Sequence, residues 1–455
     1  MKVPFAGQST KDSDNSLTSA RLLNCYREPA GDRIVLRSHL GTSSHSLIPS
    51  GASTTPPSAM QLYDGEIYFL HSDGLMHDSP AAASVAGVSS VTPVIITSGA
   101  TNVPWVHDAS MDTNNGNLTL TQDNVYQVYD GTTVSSPTGG AFTATSSCFT
   151  FNQLTVMTES DGRRVQWSDV ADPTTIDPLN FATKEGRGDK IVRGLPVNNT
   201  IVIFGRKSTE YWYQTGAGDL TVRPGRIDDI GIHSYGAVAA GDDAMVFVGS
   251  DSIVYMTTGG DKVRISTTAV ETSVSDAAAI QMAYYRDRGH KFFVLSFPYR
   301  ASWIYDRATG EWSERGEGSD FGRWEASSAE LLGSDYYIGV ESGVAKLERN
   351  NVDVSGTMYR RAISETVQQG GDRFRIPKLE FQVNAGQHAS EADLSLRVSK
   401  DAGENWSATK TRGMGASGET ETRPTFRGLG QFRKFTAEVT WSGANDVIID
   451  AEAIV

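Results

Sequence analysis

Between positions 206 and 226 stand the residues best suited by type to covalent chemistry: Arg206, Glu210, Tyr211, Arg223 and Arg226. Three guanidinium groups can clasp a substrate carboxylate through paired N–H donors, and a tyrosine beside an acid can attack a glycosidic bond. Spacing along the chain does not bring five side chains into one pocket, so glycan cleavage stands as an alternative reading. Asp228-Asp229 and Asp242-Asp243 are paired carboxylates that suit solvated turns better than acid/base catalysis, although either pair could hold a cation. The histidines, at 39, 45, 71, 77, 107, 233, 290 and 388, form no H-x-H or H-E-x-x-H pair and are expected on the surface or in loops. No G-x-S-x-G, P-loop lysine or dinucleotide fingerprint occurs. Cys25 and Cys148 are too few and too far apart for a disulfide framework or a metal cluster and are expected as buried or free thiols. The expectation is a chain with no catalytic centre, no cofactor and no metal.

Those residues must be positioned by strands. The 455 residues allow two or three domains, 45 of them are glycine, and no sustained 3.6-residue apolar period runs through the chain, which reads as all-β. Leu17–Tyr26 and Asp276–Tyr285 are the two helix candidates. The unit that recurs is a hairpin, seen most clearly in Thr200 to Gly216, where Ile201-Val202-Ile203-Phe204 and Glu210-Tyr211-Trp212-Tyr213 flank a turn. Similar units start at Gly65, Asn117, Gln153, Ala244, Lys291 and Asp335. Roughly seven hairpins at about 36–52 residues apart match the spacing of propeller blades. Asp-Gly pairs at 64–65, 73–74, 130–131 and 161–162 suit the positive φ of tight turns.

Three domains are expected: an N-terminal arm over 1–58, partly docked on the C-terminal domain and ending in a Ser/Thr/Pro linker (Ser50 to Ser58); a propeller-like domain over 59–349; and a β-sandwich over 350–455, where alternation is clean. The stretch Val170 to Asp189 is long and Pro-interrupted and is expected to protrude. Ser399-Lys400-Asp401-Ala402-Gly403-Glu404-Asn405-Trp406 resembles the Asp-box turn of sialidases and related β-proteins, whose role is structural. Arg360-Arg361, Arg423 to Arg427 and Arg433-Lys434 are either a solvated face or an electrostatic seam toward another subunit or an acidic partner. The formal net charge of −14 argues against general nucleic-acid binding. The start MKVPFAGQST lacks the apolar core of a secretory signal, and no apolar run approaches the ~18 residues of a membrane span, so a soluble protein made in the cytosol, without membrane insertion, is expected.

Three phrases together resemble a known family. The opening ends in Asn24-Cys25-Tyr26-Arg27-Glu28; the middle carries Phe204-Gly205 and Ser208-Thr209-Glu210-Tyr211 followed by Gly231 and Gly236; the end carries Trp406-Ser407, Met414-Gly415, Gly418, Arg423, Arg427, Leu429-Gly430 and Arg433. In this order they resemble the packaged-DNA stabilisation proteins, also called tail hub, nozzle or tail tubular protein B, of short-tailed phages. The arm departs from the pattern at RSHLGTSS, where relatives often carry a Thr-Pro-Gly-like phrase. The resemblance implies a structural virion protein of the tail, assembled in the host cytoplasm. It implies a homohexamer below the portal-bound adaptor that retains packaged DNA and forms part of the ejection channel. A tail fibre, spike or needle would attach to it, and genomic DNA would pass through without sequence-specific binding. A propeller glycosidase and a glycan-binding receptor module are the alternatives.

Overall fold

Each hairpin read from the sequence is the second and third strand of a four-stranded antiparallel unit; among the described residues six of these units are separate sheets and a seventh is the first four strands of a ten-stranded sheet. They are blade 1 (59–84), blade 2 (110–135), blade 3 (145–183), blade 4 (191–228), blade 5 (238–264), blade 6 (281–315) and blade 7 (329–348, completed by Gly41–Leu47). The computed structural model describes residues 2–454 apart from 6–7, 11–19, 32, 48–54, 79–82, 89–93, 99–100, 106–107, 141–143, 217, 325, 342, 351, 355, 385–391, 416–418, 420, 444–447 and 451. The first strand of blade 1 packs beside those of blades 2 and 7, and successive blades continue the ring. A separate hairpin, Val94–Ser98 with Thr101–Trp105, takes up the longer interval between the first two blades.

Thr200–Gly205 and Ala244–Val248 are buried at every position because each inner strand is covered by neighbouring blades on both faces. That is why they read as unbroken apolar runs. Two-residue turns at Asp64-Gly65, Asn115-Gly116, Asp123-Asn124 and Arg288-Gly289 hold both central residues at positive φ, the type I′ geometry that fits the twist of paired strands.

The sandwich core gathers Val3, Leu22, Leu396, Phe381, Phe426 and Trp441. One of its sheets orders Lys2–Pro4, Glu452–Ile454, Phe374–Glu380 and Thr425–Phe432. The other is continuous with blade 6. Arg21–Leu23 inserts between the two domains, pairing Leu23 with Glu314 of blade 6 in parallel and Arg21, Leu22 and Leu23 with Ile363, Ala362 and Arg361 of the sandwich antiparallel. The resulting sheet has ten strands.

The arm therefore serves both domains. Cys25–Ala30 and Arg33–Ser38 pair with each other and, through Ile448–Asp450, with the sandwich, whereas Gly41–Leu47 is the fourth strand of blade 7. The 50–58 stretch is not all linker: buried Thr55 meets His71 (3.0 Å) and Ser72 (2.8 Å), and Ser327 donates to the Pro57 carbonyl at 2.7 Å. Both helix expectations are corrected. Arg21–Leu23 and Cys25–Ala30 are strands joined at Asn24 and 17–19 fall outside the described residues, while Gln281–Asp287 opens blade 6. The helix among the described residues is Thr268–Ser275, which buries Ala269, Val270 and Val274. No helix among the described residues is long and apolar enough to cross a membrane.

Candidate functional site

The alternation of strand Thr209–Gln214 separates the residues that glycan chemistry would need to converge. Tyr211 faces blade 5, packs with Phe204 and Phe247, and donates its hydroxyl to Asp228 at 2.9 Å. Glu210 faces the other way, accepting from Trp212 Nε1 at 2.9 Å and from the Gly186 amide at 2.6 Å. Arg226 covers the Tyr211 ring at 4.6 Å and donates to the Gly260 carbonyl at 2.7 Å, whereas Arg223 lies over Tyr213 at 5.8 Å. Exposed Arg206 reaches Asp161 at 3.6 Å. These side chains lock blades together instead of lining one pocket. Burial pushes the Tyr211 hydroxyl well above its ordinary range, which makes it a poor nucleophile at neutral pH.

Of the acidic pairs, Asp228 meets Lys262 at 2.8 Å while Asp229 pairs with Arg187, whereas Asp242 and Asp243 share Lys291, at 2.8 and 3.6 Å, and Asp243 also pairs with Arg307. The placement of the histidines is a correction, because His39, His71 and His290 are buried. His290 meets Asp306 at 2.7 Å, and His39 sits between Ser313 and Tyr285 with its pKa driven down by burial. His107 and His388 lie outside the described residues. Cys25 and Cys148 are buried free thiols.

The 170–189 stretch protrudes only in part. It carries the fourth strand of blade 3, Phe181–Thr183, and ends on an internal ion pair between fully buried Lys184 and Asp189 at 2.5 Å. Asp189 also accepts from the Lys207 amide (2.8 Å) and the Ser208 hydroxyl (2.6 Å). Leu179 remains 82% exposed.

The Asp-box forms a turn. Asp401 accepts from the Asn405 amide at 2.9 Å and from Ser399 Oγ at 2.7 Å, and these bonds hold its carboxyl at about 2. Arg397 lies over the Trp406 ring at 5.5 Å.

The densest polar construction joins arm, propeller and sandwich. Arg315, fully buried at the end of blade 6, makes a bidentate pair with Asp353, also buried, one contact measuring 2.8 Å. It donates as well to Asn24 Oδ1 (3.1 Å) and the Leu40 carbonyl (3.0 Å), and stacks on Trp324 at 4.7 Å. Asn24, at φ 58, donates to the carbonyls of Gly316 and Tyr359, both at 2.7 Å. Tyr26 packs against His39, His290 and Phe292. The Asn24–Glu28 phrase is thus a staple between domains. Arg360 and Arg361 belong to the same region. Arg360 is buried and donates to the Gly443 carbonyl at 2.6 Å, and Arg361 covers Phe321 at 4.2 Å, so neither forms a solvated face. Nothing in the sequence marked Arg315 or Asp353 as partners 38 residues apart.

A cavity of about 840 Å³ opens at the centre of the ring between the first strands of the blades. Arg193, which lies over Tyr235 at 4.7 Å, faces it together with Asp108, Asp112, Gln281 and Glu330. Asp112 is engaged by the Thr113 and Thr150 amides, both at 2.7 Å, and burial raises Glu330 to about 7.

Comparison with known proteins completes the picture. Residues 89–340 match the family model described as bacteriophage P22 Gp10, beta-propeller, and residues 359–437 match bacteriophage P22 Gp10, beta-sandwich. No curated protein matches the chain. Solved structures similar to it include the computationally designed Ika8 protein (15% identity, TM-score 0.40, covering 75% of this chain and 100% of that one). U3-55K gives 11% identity and TM-score 0.40 over 68% of this chain and 98% of its own. YCF48, solved bound to D1 peptide, gives 9% and 0.40 over 68% and 99%. At these scores the structural likenesses carry no argument. The two family matches lie in chain order on the propeller and the sandwich, and the first alone spans more than half the chain. This protein belongs to the family of bacteriophage P22 Gp10, the phage DNA-stabilisation proteins, and is a structural component of the virion.

Proposed function

We propose that the chain is a tail hub: six copies form a ring below the portal-bound adaptor, retain the packaged genome and form part of the ejection conduit. The observation that carries this reading is the family match over both domains. The weld supports it, since a ten-stranded sheet running from propeller to sandwich, stapled by the Arg315–Asp353 pair, suits a part that bears load. An acidic wall, at −14 per copy, would let the phosphate backbone slide past without holding it. The same surplus repels identical copies, so the adaptor acts as the template for the ring. A fibre, spike or needle protein would attach to the finished ring. The test is the mass of complexes formed when the purified chain meets adaptor-bearing portal rings from the same phage: about six added copies support the hub, and no binding opposes it.

A further inference from the structure

The charge of this chain is divided by place. From position 38 to 162 there is no lysine or arginine against ten Asp and Glu; Asp161 meets Lys190 and Arg206, Glu159 pairs with Arg164, and Asp108 and Asp112 face the central cavity, which leaves Asp64, Asp123 and Asp130 as the exposed carboxylates of blades 1 and 2. Structurally, that stretch is blades 1 and 2 and the start of blade 3. The 169–180 segment of blade 3 extends the sector: Asn115 of blade 2 donates to the Ala171 carbonyl at 2.8 Å, and Tyr126 donates to the Pro173 carbonyl at 2.9 Å. It adds Asp169, Asp172 and Asp177 without a cation and exposes Val170 (64%) and Leu179 (82%). Apolar side chains rimmed by charge are the anatomy of an interface.

Cations gather on one face of the sandwich, a domain that is close to neutral as a whole. Lys378 and Arg427 are cross-strand partners, exposed Arg375 stands on the strand of Lys378, and Lys410, which donates to the Arg427 carbonyl at 2.8 Å, brings exposed Arg412 alongside. Glu380 pairs with Lys378 at 3.2 Å and neutralises only part of this face. The two surfaces cannot meet within one molecule. The sandwich is welded to blade 6, and blades 2 and 3 lie across the ring from blade 6.

We propose that the acidic sector of blades 1 to 3 receives the basic face of the sandwich of a second copy of this chain. Two different patches at opposite ends of one molecule make a head-to-tail contact, which closes into a ring when the rotation permits. The contact rests on the hub reading for its biological setting, and it gives a chain of net charge −14 an attractive face toward its own kind.

The test uses the full-length chain at low ionic strength, with isotope-labelled and unlabelled copies mixed and carboxylates joined to amines by zero-length crosslinking. Links between copies are expected from Asp64, Asp130, Asp169 or Asp177 to Lys378, Lys410 or Lys434, falling at least about tenfold between about 20 mM and 500 mM salt as screening shortens. The triple variant Asp64→Lys/Asp130→Lys/Asp169→Lys and the triple variant Arg375→Glu/Arg412→Glu/Arg427→Glu should each lose the links alone. Mixed in equal amounts they should regain assembly, because the reversed faces complement each other. Absence of these links in the wild-type chain, or no recovery from two folded variants, overturns the contact. A six-copy ring on the adaptor linked through other residues would leave the hub standing and sink this contact. The same links in complexes that never join the adaptor would do the reverse.

Discussion

Replacing Asp353 by asparagine should cost far more than the loss of an ordinary ion pair. Arg315 and Asp353 are 0% and 1% exposed, so the variant leaves a guanidinium that water cannot reach without its bidentate partner, held by Asn24, the Leu40 carbonyl and the Trp324 face. Burial by itself would lower the Arg315 pKa, and Asp353 first, with Tyr285 and Glu317, more than offsets it, so Asp353 is the main group that keeps the charge tolerable. Breaking a buried pair on one side costs about 3–5 kcal/mol, against about 5–15 kcal/mol for the whole stability of a typical protein. The double variant Arg315→Met/Asp353→Leu removes both charges and should lie within about 2 kcal/mol of wild type. Urea unfolding of the wild type, both single variants and the double completes a thermodynamic cycle. A loss below about 1 kcal/mol for Asp353→Asn, the worth of an exposed pair, would refute the claim that this contact staples the domains.

Three further outcomes follow from the same coordinates. Burial raises the Glu330 carboxyl from 4.5 to about 7, so the folded state holds its proton more tightly than the unfolded state and stability is lost as pH rises through that window. Glu330→Gln should therefore stabilise the chain by up to about 3 kcal/mol at pH 8 and by little at pH 4.5, and equal gains at both pH values in urea unfolding would contradict this. Asp189→Asn leaves fully buried Lys184 without its carboxylate and should cost about 3–5 kcal/mol, with blade 3 and blade 4 amides losing hydrogen-exchange protection first. Because Glu210 and Tyr211 face opposite sides of their strand, sialyl and other glycoside substrates should show no turnover; turnover abolished by Tyr211→Phe would revive the enzymatic alternative.

What the sequence revealed was the inner part of each blade. Strands covered on both faces, such as Ala244–Val248, are apolar throughout and stand out, whereas outer strands such as Ala83–Ser84 and Val263–Arg264 are two residues long and take their place only from the strand beside them. Helix propensity misled in both directions. The candidate Asp276–Tyr285 runs into residues that pair as a strand, while the helix at 268–275 is built largely from threonine, valine and serine and is held by tertiary burial. The Asn24–Glu28 phrase was visible as a likeness, but its work as a staple depends on partners nearly three hundred residues away, at Gly316 and Arg315. The same distance hid the burial of Arg360, which with its neighbour Arg361 looks like a surface run.

The most direct test of the central claim is the mass, by native mass spectrometry or electron microscopy, of portal–adaptor particles before and after addition of the purified chain. The account predicts a monomer of 49.1 kDa alone at physiological ionic strength, where the charged contact between copies is screened, and a gain of about six copies on the particle, arranged as one ring. Stable hexamers without the particle would contradict the templated assembly, and particles that gain no mass would contradict the hub itself.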